Sequence, residues 1–296
     1  MKSIIITGAT GMIGSAIVRE ALKHDYLITC LVRMNSSRIN NIQKNERVKI
    51  IDCNISDYKT IELDGNYDVF MHLAWNKTSV GGRDDVDCQL KNVEYTLDAV
   101  RLAKRCGCSV FIGAGSQAEY GIQTVSLTPG LPVSPESGYG IAKYTAGKFS
   151  GMLCSQLGMR FNWMRILSVY GPNDGENTLI SYVIRELKGG RNPELTKCEQ
   201  TWDYLHCDDA AEAFLAVVER GVDGKTYPLG GGNARKLSEY IEDIRNYINP
   251  GISVRFGKRD YYPHQPMYLV ADVTELAVDT GWKPKICFTD GIKSIL

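Results

Sequence analysis

The sequence predicts an α/β fold, a doubly wound parallel sheet with a smaller C-terminal lobe, on three observations. Short β-branched runs alternate with helical stretches through the first half. A glycine-rich turn joins the first run to the first helical stretch, and the pattern changes after Tyr170-Gly171-Pro172. Taken in order, the β-branched or apolar runs at 3–7, 27–32, 48–52, 69–73, 109–113 and 160–167 are the expected strands. The stretches 12–23, 84–105 and 139–157 are the expected covering helices, and six strands in this order fit a doubly wound sheet. Beyond Tyr170, a helix is expected at 179–188, then the loop Gly189-Gly190-Arg191-Asn192-Pro193 and a strand near Tyr204. Helices at 208–219 and 237–248 follow, the second after Gly230-Gly231-Gly232, and the tail is loop-rich. This divides the chain into 1–169 and 170–296, with 204–220 returning to pack on the first part.

Lys+Arg and Asp+Glu both number 34, so the formal net charge is zero, and neither a nucleic-acid footprint nor a membrane-surface protein is indicated. No run approaches the roughly 18 apolar residues of a membrane span. The start lacks a signal-peptide cleavage pattern and leads directly into the glycine turn, so it reads as a strand. The nine cysteines are scattered, with Cys106-Gly107-Cys108 the only close pair and no second pair at zinc spacing. The expectation is free thiols in a reducing cytoplasm, and no metal.

The turn Thr7-Gly8-Ala9-Thr10-Gly11-Met12-Ile13-Gly14 sits between the first strand and the first helix. Gly8 permits the tight turn, Gly11 lets backbone approach a pyrophosphate, and Gly14 lets helix and strand pack closely. The helix start offers free N–H groups and a positive dipole end to phosphate, so Gly8, Thr10, Gly11, Met12, Ile13 and Gly14 form the expected cradle. The second strand runs into Arg33, followed by Asn35, Ser36, Ser37 and Arg38. An NAD-preferring site usually places Asp or Glu there. A guanidinium with hydroxyl donors suits a 2′-phosphate instead, so Arg33, Ser37 and Arg38 point to NADP, with NAD remaining open.

Tyr139 and Lys143 are four residues apart in a helical stretch, which puts both on one face. An ammonium beside a phenol favours the phenolate and suits acid/base work. Ser116, expected just beyond the fifth strand, is placed to hydrogen-bond a substrate oxygen; Tyr120 reads as packing.

Further marks occur in order: His72-Leu73-Ala74, Asn92 with Thr96, Ser116 with Tyr120-Gly121, Tyr139 with Lys143, and Arg165 with Tyr170-Gly171-Pro172. Together with the glycine turn they resemble the extended short-chain dehydrogenase/reductases, especially the nucleotide-sugar epimerase/dehydratase/reductase group. Asp203-Tyr204, Asp209-Ala210-Ala211 and Gly281-Trp282-Lys283-Pro284 resemble that group's downstream marks, so the resemblance spans essentially the whole chain. It implies a Rossmann cofactor domain, Tyr139 as the proton-transfer group, Lys143 at the nicotinamide ribose and Ser116 holding the reacting oxygen. It also implies Asn54-Ile55 at the adenine, although many relatives have Asp at the first of these. Leu73-Ala74-Trp75 and Leu167 would line the cofactor cleft, and Asn92 would order backbone there.

Three reactions share this framework. The dehydratases of the group carry an Asp–Glu pair after the Ser/Thr; here those positions are Gln117 and Ala118, which disfavours elimination of water. Arg33 and Arg38 favour NADPH, hence a reductase of a nucleotide-linked 4-keto-6-deoxy sugar, with an epimerase as the alternative. A non-catalytic NADP sensor and a reductase of a non-nucleotide carbonyl are the remaining readings. On the substrate side Gln117, Ser168 and Trp202 are the candidates. Ser168 stands where many relatives have an Asn that contacts the diphosphate, and Trp202 where many have an Arg. An indole stacks but does not neutralise phosphate, so Arg185, Lys188, Arg191, Lys258 and Arg259 are alternatives for that charge. His206 reads as a packed histidine and Asp209 as a structural helix N-terminal residue. By resemblance, the helices at 84–105 and 139–157 would pair in a homodimer.

Overall fold

Ile4, Ile5 and Ile6 are completely buried, because alternate side chains of one strand enter cores on opposite faces of a sheet. Ile4 and Ile6 pack with the helices of one face, Ile5 with those of the other. The computed structural model describes every residue except Ser79, Pro263 and His264, and of Val80 the backbone alone. The chain runs β1 (Ser3–Thr7), α1 (Met12–Lys23), β2 (Leu27–Val32), β3 (Val48–Asp52), β4 (Val69–His72), α2 (Val86–Arg105), β5 (Val110–Ser116), α3 (Gly138–Leu157) and β6 (Arg160–Ile166). It continues through β7 (Ser168–Tyr170), α4 (Leu179–Lys188), β8 (Thr201–Trp202), β9 (Tyr204–His206), α5 (Cys207–Arg220) and β10 (Thr226–Leu229). The last elements are β11 (Arg235–Lys236), α6 (Leu237–Ile248), β12 (Tyr268–Leu269), α7 (Thr274–Thr280) and α8 (Phe288–Lys293).

The main sheet is parallel throughout, in the order β3-β2-β1-β4-β5-β6-β10. Helices α1 and α5 cover one face, α2 and α3 the other. The sheet thus has seven strands where six were expected. The seventh, β10, carries Pro228 and among the described residues pairs with β6 alone; a proline is tolerated there because the strand is at the sheet edge. β5 also runs further than 109–113, since its pairing with β6 continues to Ser116 against Ile166. Ser116 is therefore the last residue of the strand. Helix α2 starts two residues later than expected, because Asp85 caps it by accepting from Cys88 N at 3.0 Å. Trp163 of β6 fills a slot over Gly113 and Gly115, where added Cβ atoms would come within 2.1 and 2.3 Å of the indole.

Beyond Tyr170, α4, α6 and α8 enclose a separate core with an aromatic box of Tyr170, Tyr204, Tyr240 and Phe288. Asp203 ties this part together, accepting from Gly231 N, Gly232 N and Ala271 N at 2.7, 2.9 and 3.0 Å. Asp209 does similar work for the tail, accepting from Lys285 N and Ile286 N. His206 is buried, its Nε2 at 3.0 Å from Ser294 Oγ. Among the described residues no helix is long and apolar enough to cross a membrane.

Candidate active site

The C-terminal ends of β1, β4, β5 and β6 open into two adjoining cavities of about 530 and 570 Å³. They share Gly8, Gly11, Leu73, Trp75 and Thr78, so one long cleft crosses the sheet where the strand order reverses.

The glycine turn forms the floor. Gly8 has φ +73°, and a Cβ on Gly14 would lie 2.3 Å from Gly8 O, so no larger residue fits. At Gly11 the nearest atom to an added Cβ is 3.4 Å away, which leaves the backbone open to an approaching group. Helix α1 has Gly11 as its N-cap, with no side-chain cap, so its first N–H groups remain for an anion. Thr7 Oγ1 accepts from Leu73 N and Ala74 N at 3.1 and 3.2 Å, fixing the opposite wall. These features fit a dinucleotide: a pyrophosphate over Gly8, Gly11, Met12 and Ile13, and a ribose towards the end of β2. At that end Thr10, Arg33, Ser36, Ser37, Arg38, Ile55 and Ala74 line the second cavity, and none of its described lining residues is a carboxylate. Asn54 is exposed and donates its backbone N–H to Asp57 Oδ2 at 3.2 Å.

At the other end Ser116, Tyr139 and Lys143 meet on the first cavity, joined by Gln117, Leu167 and Ser168. Ser137 caps α3 by accepting from Gly140 N, which aims Tyr139 and Lys143 inwards. Both are buried, and Lys143 Nζ lies 5.8 Å from the phenol ring centroid. Burial pushes the Tyr139 phenol up, opposed by its hydrogen bond to Ser116 and the charge of Arg83. Burial pushes Lys143 down to about 7, with Glu119 acting in the opposite sense. The Lys143 ammonium donates to Ala114 O at 2.6 Å.

A glycine cradle, a Ser–Tyr–Lys cluster and a doubly wound sheet in one cleft agree with comparison against known proteins. The family model described as "NAD dependent epimerase/dehydratase family" matches residues 4–230. The chain belongs to that family. It is an NAD(P)-dependent enzyme of the extended short-chain dehydrogenase/reductase type. It is 25% identical to the CDP-abequose synthase of Salmonella typhimurium strain LT2, covering 99% of this chain and 97% of the relative. Identity to the dTDP-4-dehydro-6-deoxyglucose reductase of Escherichia coli is 21%, over 100% of this chain and 96% of the relative. Among solved structures, a UDP-N-acetylglucosamine 4-epimerase from Methanobrevibacter ruminantium M1, in complex with UDP-N-acetylmuramic acid, matches with a TM-score of 0.88. Its identity is 23%, covering 99% of this chain and 97% of that chain.

Two residues of this epimerase/dehydratase family member were missed by reading the sequence. Glu119, fully buried, pairs with Arg165 Nε at 2.7 Å and accepts from Ser116 N and Trp163 Nε1, both at 2.8 Å. It fixes the backbone of Ser116 from beneath the cleft. Arg83 lies 5.2 Å from the Tyr139 ring centroid, and its carbonyl accepts from Tyr139 N at 2.7 Å. The spacing Ser116-x-x-Glu119 is that of a capping box and marks Glu119 locally, whereas no spacing marks Arg83, whose partner Tyr139 is distant in the chain.

The remaining candidates fall into two groups. Asn92 is buried and braces Asn76, its Oδ1 accepting from Asn76 N and its Nδ2 donating to Asn76 O, both at 3.0 Å. Trp202 stands behind the cavity wall and donates from Nε1 to Ser168 Oγ. Among the described residues the cations lining the first cavity are Arg83 and Lys143. Arg185, Lys188, Arg191, Lys258 and Arg259 lie elsewhere: Arg185 donates to Glu176 O, Arg191 pairs with Glu186, and Arg259 donates to Tyr182 OH.

Proposed function

We propose that this family member reduces a nucleotide-linked 4-keto-6-deoxy sugar with NADPH. The observation that carries the reading is the ribose end of the cleft, where Arg33, Ser36, Ser37 and Arg38 gather without a carboxylate among the described lining residues. Two cations and hydroxyl donors there favour a 2′-phosphate, which a carboxylate would repel. A cofactor consumed at each turnover fits reduction.

When bound, the nicotinamide supplies hydride chemistry; the residues of the chain orient the ketone and move its proton. Ser116 holds the carbonyl oxygen, Tyr139 delivers the proton to that oxygen as the carbon is reduced, and Lys143 holds the ribose. Ketone, NADPH and a proton give alcohol and NADP⁺, and the phenol is reprotonated from solvent. Gln117 and Ala118 offer no acid or base for removal of water. The name of the Escherichia coli reductase agrees with a 4-keto sugar. An epimerase is the second reading, favoured by the likeness to the UDP-N-acetylglucosamine 4-epimerase structure.

The same reading includes a homodimer. Val86 and Leu90 of α2, with Ile141, Phe149 and Met152 of α3, are exposed apolar side chains on the helices expected to pair. Nine free thiols agree with a reducing cytoplasm.

NADPH deuterated at the transferable position tests the reaction. A reductase leaves one deuterium on the sugar carbon and consumes the cofactor in step. An isomerised sugar with no net cofactor consumption assigns the epimerase instead.

A further inference from the structure

We infer that Trp75 is a positioning residue whose indole face keeps the buried Lys143 ammonium charged. The inference rests on the reading of Lys143 as the cofactor-side cation of the site.

Lys143 Nζ sits 3.8 Å from the centroid of the Trp75 ring, and its one hydrogen-bond acceptor among the described residues is Ala114 O. An ammonium has three donors and loses strong hydration when buried, so a single carbonyl does not compensate for the water removed. The charged and titratable groups around it supply little more. Glu119, from the turn after β5, favours the charged form of Lys143 but is shared with Arg165 of β6 at 2.7 Å. His72 of β4 is held neutral by burial and is itself disfavoured as a cation by Lys143. Tyr139 on the same helix is kept protonated by burial, and Arg83 beyond it adds a like charge. Of the aromatic faces around Nζ, Trp75 at 3.8 Å is much nearer than Tyr139 at 5.8 Å and Trp163 at 6.0 Å, and a desolvated cation over an indole is where such an interaction is strongest.

The indole is held in place for this. Trp75 Nε1 donates to Gln89 Oε1 at 2.9 Å, and Gln89 Nε2 donates to Gly82 O at 3.0 Å and Lys77 O at 3.3 Å. Asn92 Nδ2 reaches the same Gln89 oxygen at 3.3 Å. The ring also meets Tyr139 edge-on, with centroids 6.0 Å apart and planes at 86°. A polar chain from α2 thus fixes the ring that faces both residues of the Tyr–Lys pair.

The neutral fraction of Lys143 is read directly by acylation with acetic anhydride across pH, with the modified peptide quantified by mass spectrometry. Wild type, Trp75→Leu and Trp75→Phe are compared, and NADPH affinity is measured at each pH. Removing the indole destabilises the charged form, so the titration midpoint of Lys143 in Trp75→Leu falls by roughly one pH unit. Trp75→Phe, with a weaker aromatic face, falls between the two. Unmoved midpoints overturn the inference, even if NADPH binding weakens at every pH, because a packing role would do that alone. A moved midpoint with NADPH affinity unchanged at all pH upholds the role of Trp75 and overturns the placement of Lys143 beside the cofactor. If Trp75→Leu does not fold, Trp75→Phe decides: a midpoint below wild type supports the inference, and an equal one overturns it.

Discussion

The indole nitrogen of Trp202 donates a hydrogen bond to Ser168 Oγ at 2.8 Å. These are the two substrate-side positions at which the chain departs from the pattern that its resemblance implies, and they are partners. The pair joins β8 to the start of β7 and fixes Ser168 on the cavity wall. Where the resemblance implies an amide and a cation, the chain thus holds a neutral, hydrogen-bonded couple. Trp202→Phe keeps the packing and deletes the bond. The expected result is a rise in KM for the sugar of about fivefold, with kcat nearly unchanged. Steady-state kinetics at saturating NADPH check it.

Arg33 lines the ribose end of the cleft with Ser37 and Arg38. Arg33→Glu puts a carboxylate where a 2′-phosphate would lie. NADPH affinity should fall on the order of a hundredfold, while NADH affinity changes little. Fluorescence titration of both cofactors measures the difference; equal weakening of the two would show that no 2′-phosphate is read there.

Glu119 satisfies Arg165, Trp163 and the backbone of Ser116 at once. Glu119→Gln leaves the buried guanidinium without its counter-charge, so a loss of about 3–5 kcal/mol in unfolding free energy is expected. Urea denaturation gives the value.

His72 is buried between Thr7 and Thr96, at 2.9 and 3.3 Å. Burial, with the charge of Lys143, pushes its pKa from 6.5 down to about 3. The unfolded chain therefore binds the extra proton first. The contribution of neutral His72 is complete above pH 6.5 and is lost as pH falls towards 3. Thermal midpoints should drop between pH 6.5 and 5, above the main carboxylate range, and His72→Gln should flatten that drop.

The first half of the fold was legible because local signals and tertiary demands agree there. The strand 3–7 is apolar on both faces, and the turn after it needs glycine at Gly8 and Gly14 for reasons local to the turn. β10 was missed because Thr226–Leu229 is short and contains Pro228. Its place at the edge beside β6, which makes the proline harmless, is set by tertiary structure alone. Glu119 read as one polar letter between Ala118 and Tyr120, since its burial is decided by Trp163 and Arg165 more than 40 residues away. Tyr139, Lys143 and Ser116 could be named from spacing and resemblance. Arg83 could not, because only the docking of its loop on the start of α3 brings it to the phenol.

The account is tested most directly by mixing the purified protein with NADPH and a panel of dTDP-, CDP-, GDP- and UDP-linked 4-keto sugars while following cofactor absorbance. It predicts NADPH consumption in step with one sugar, faster than with NADH, and a loss of roughly a hundredfold or more in Tyr139→Phe with cofactor affinity retained. Bound NADPH that is consumed with none of the sugars, or full turnover in Tyr139→Phe, would contradict it.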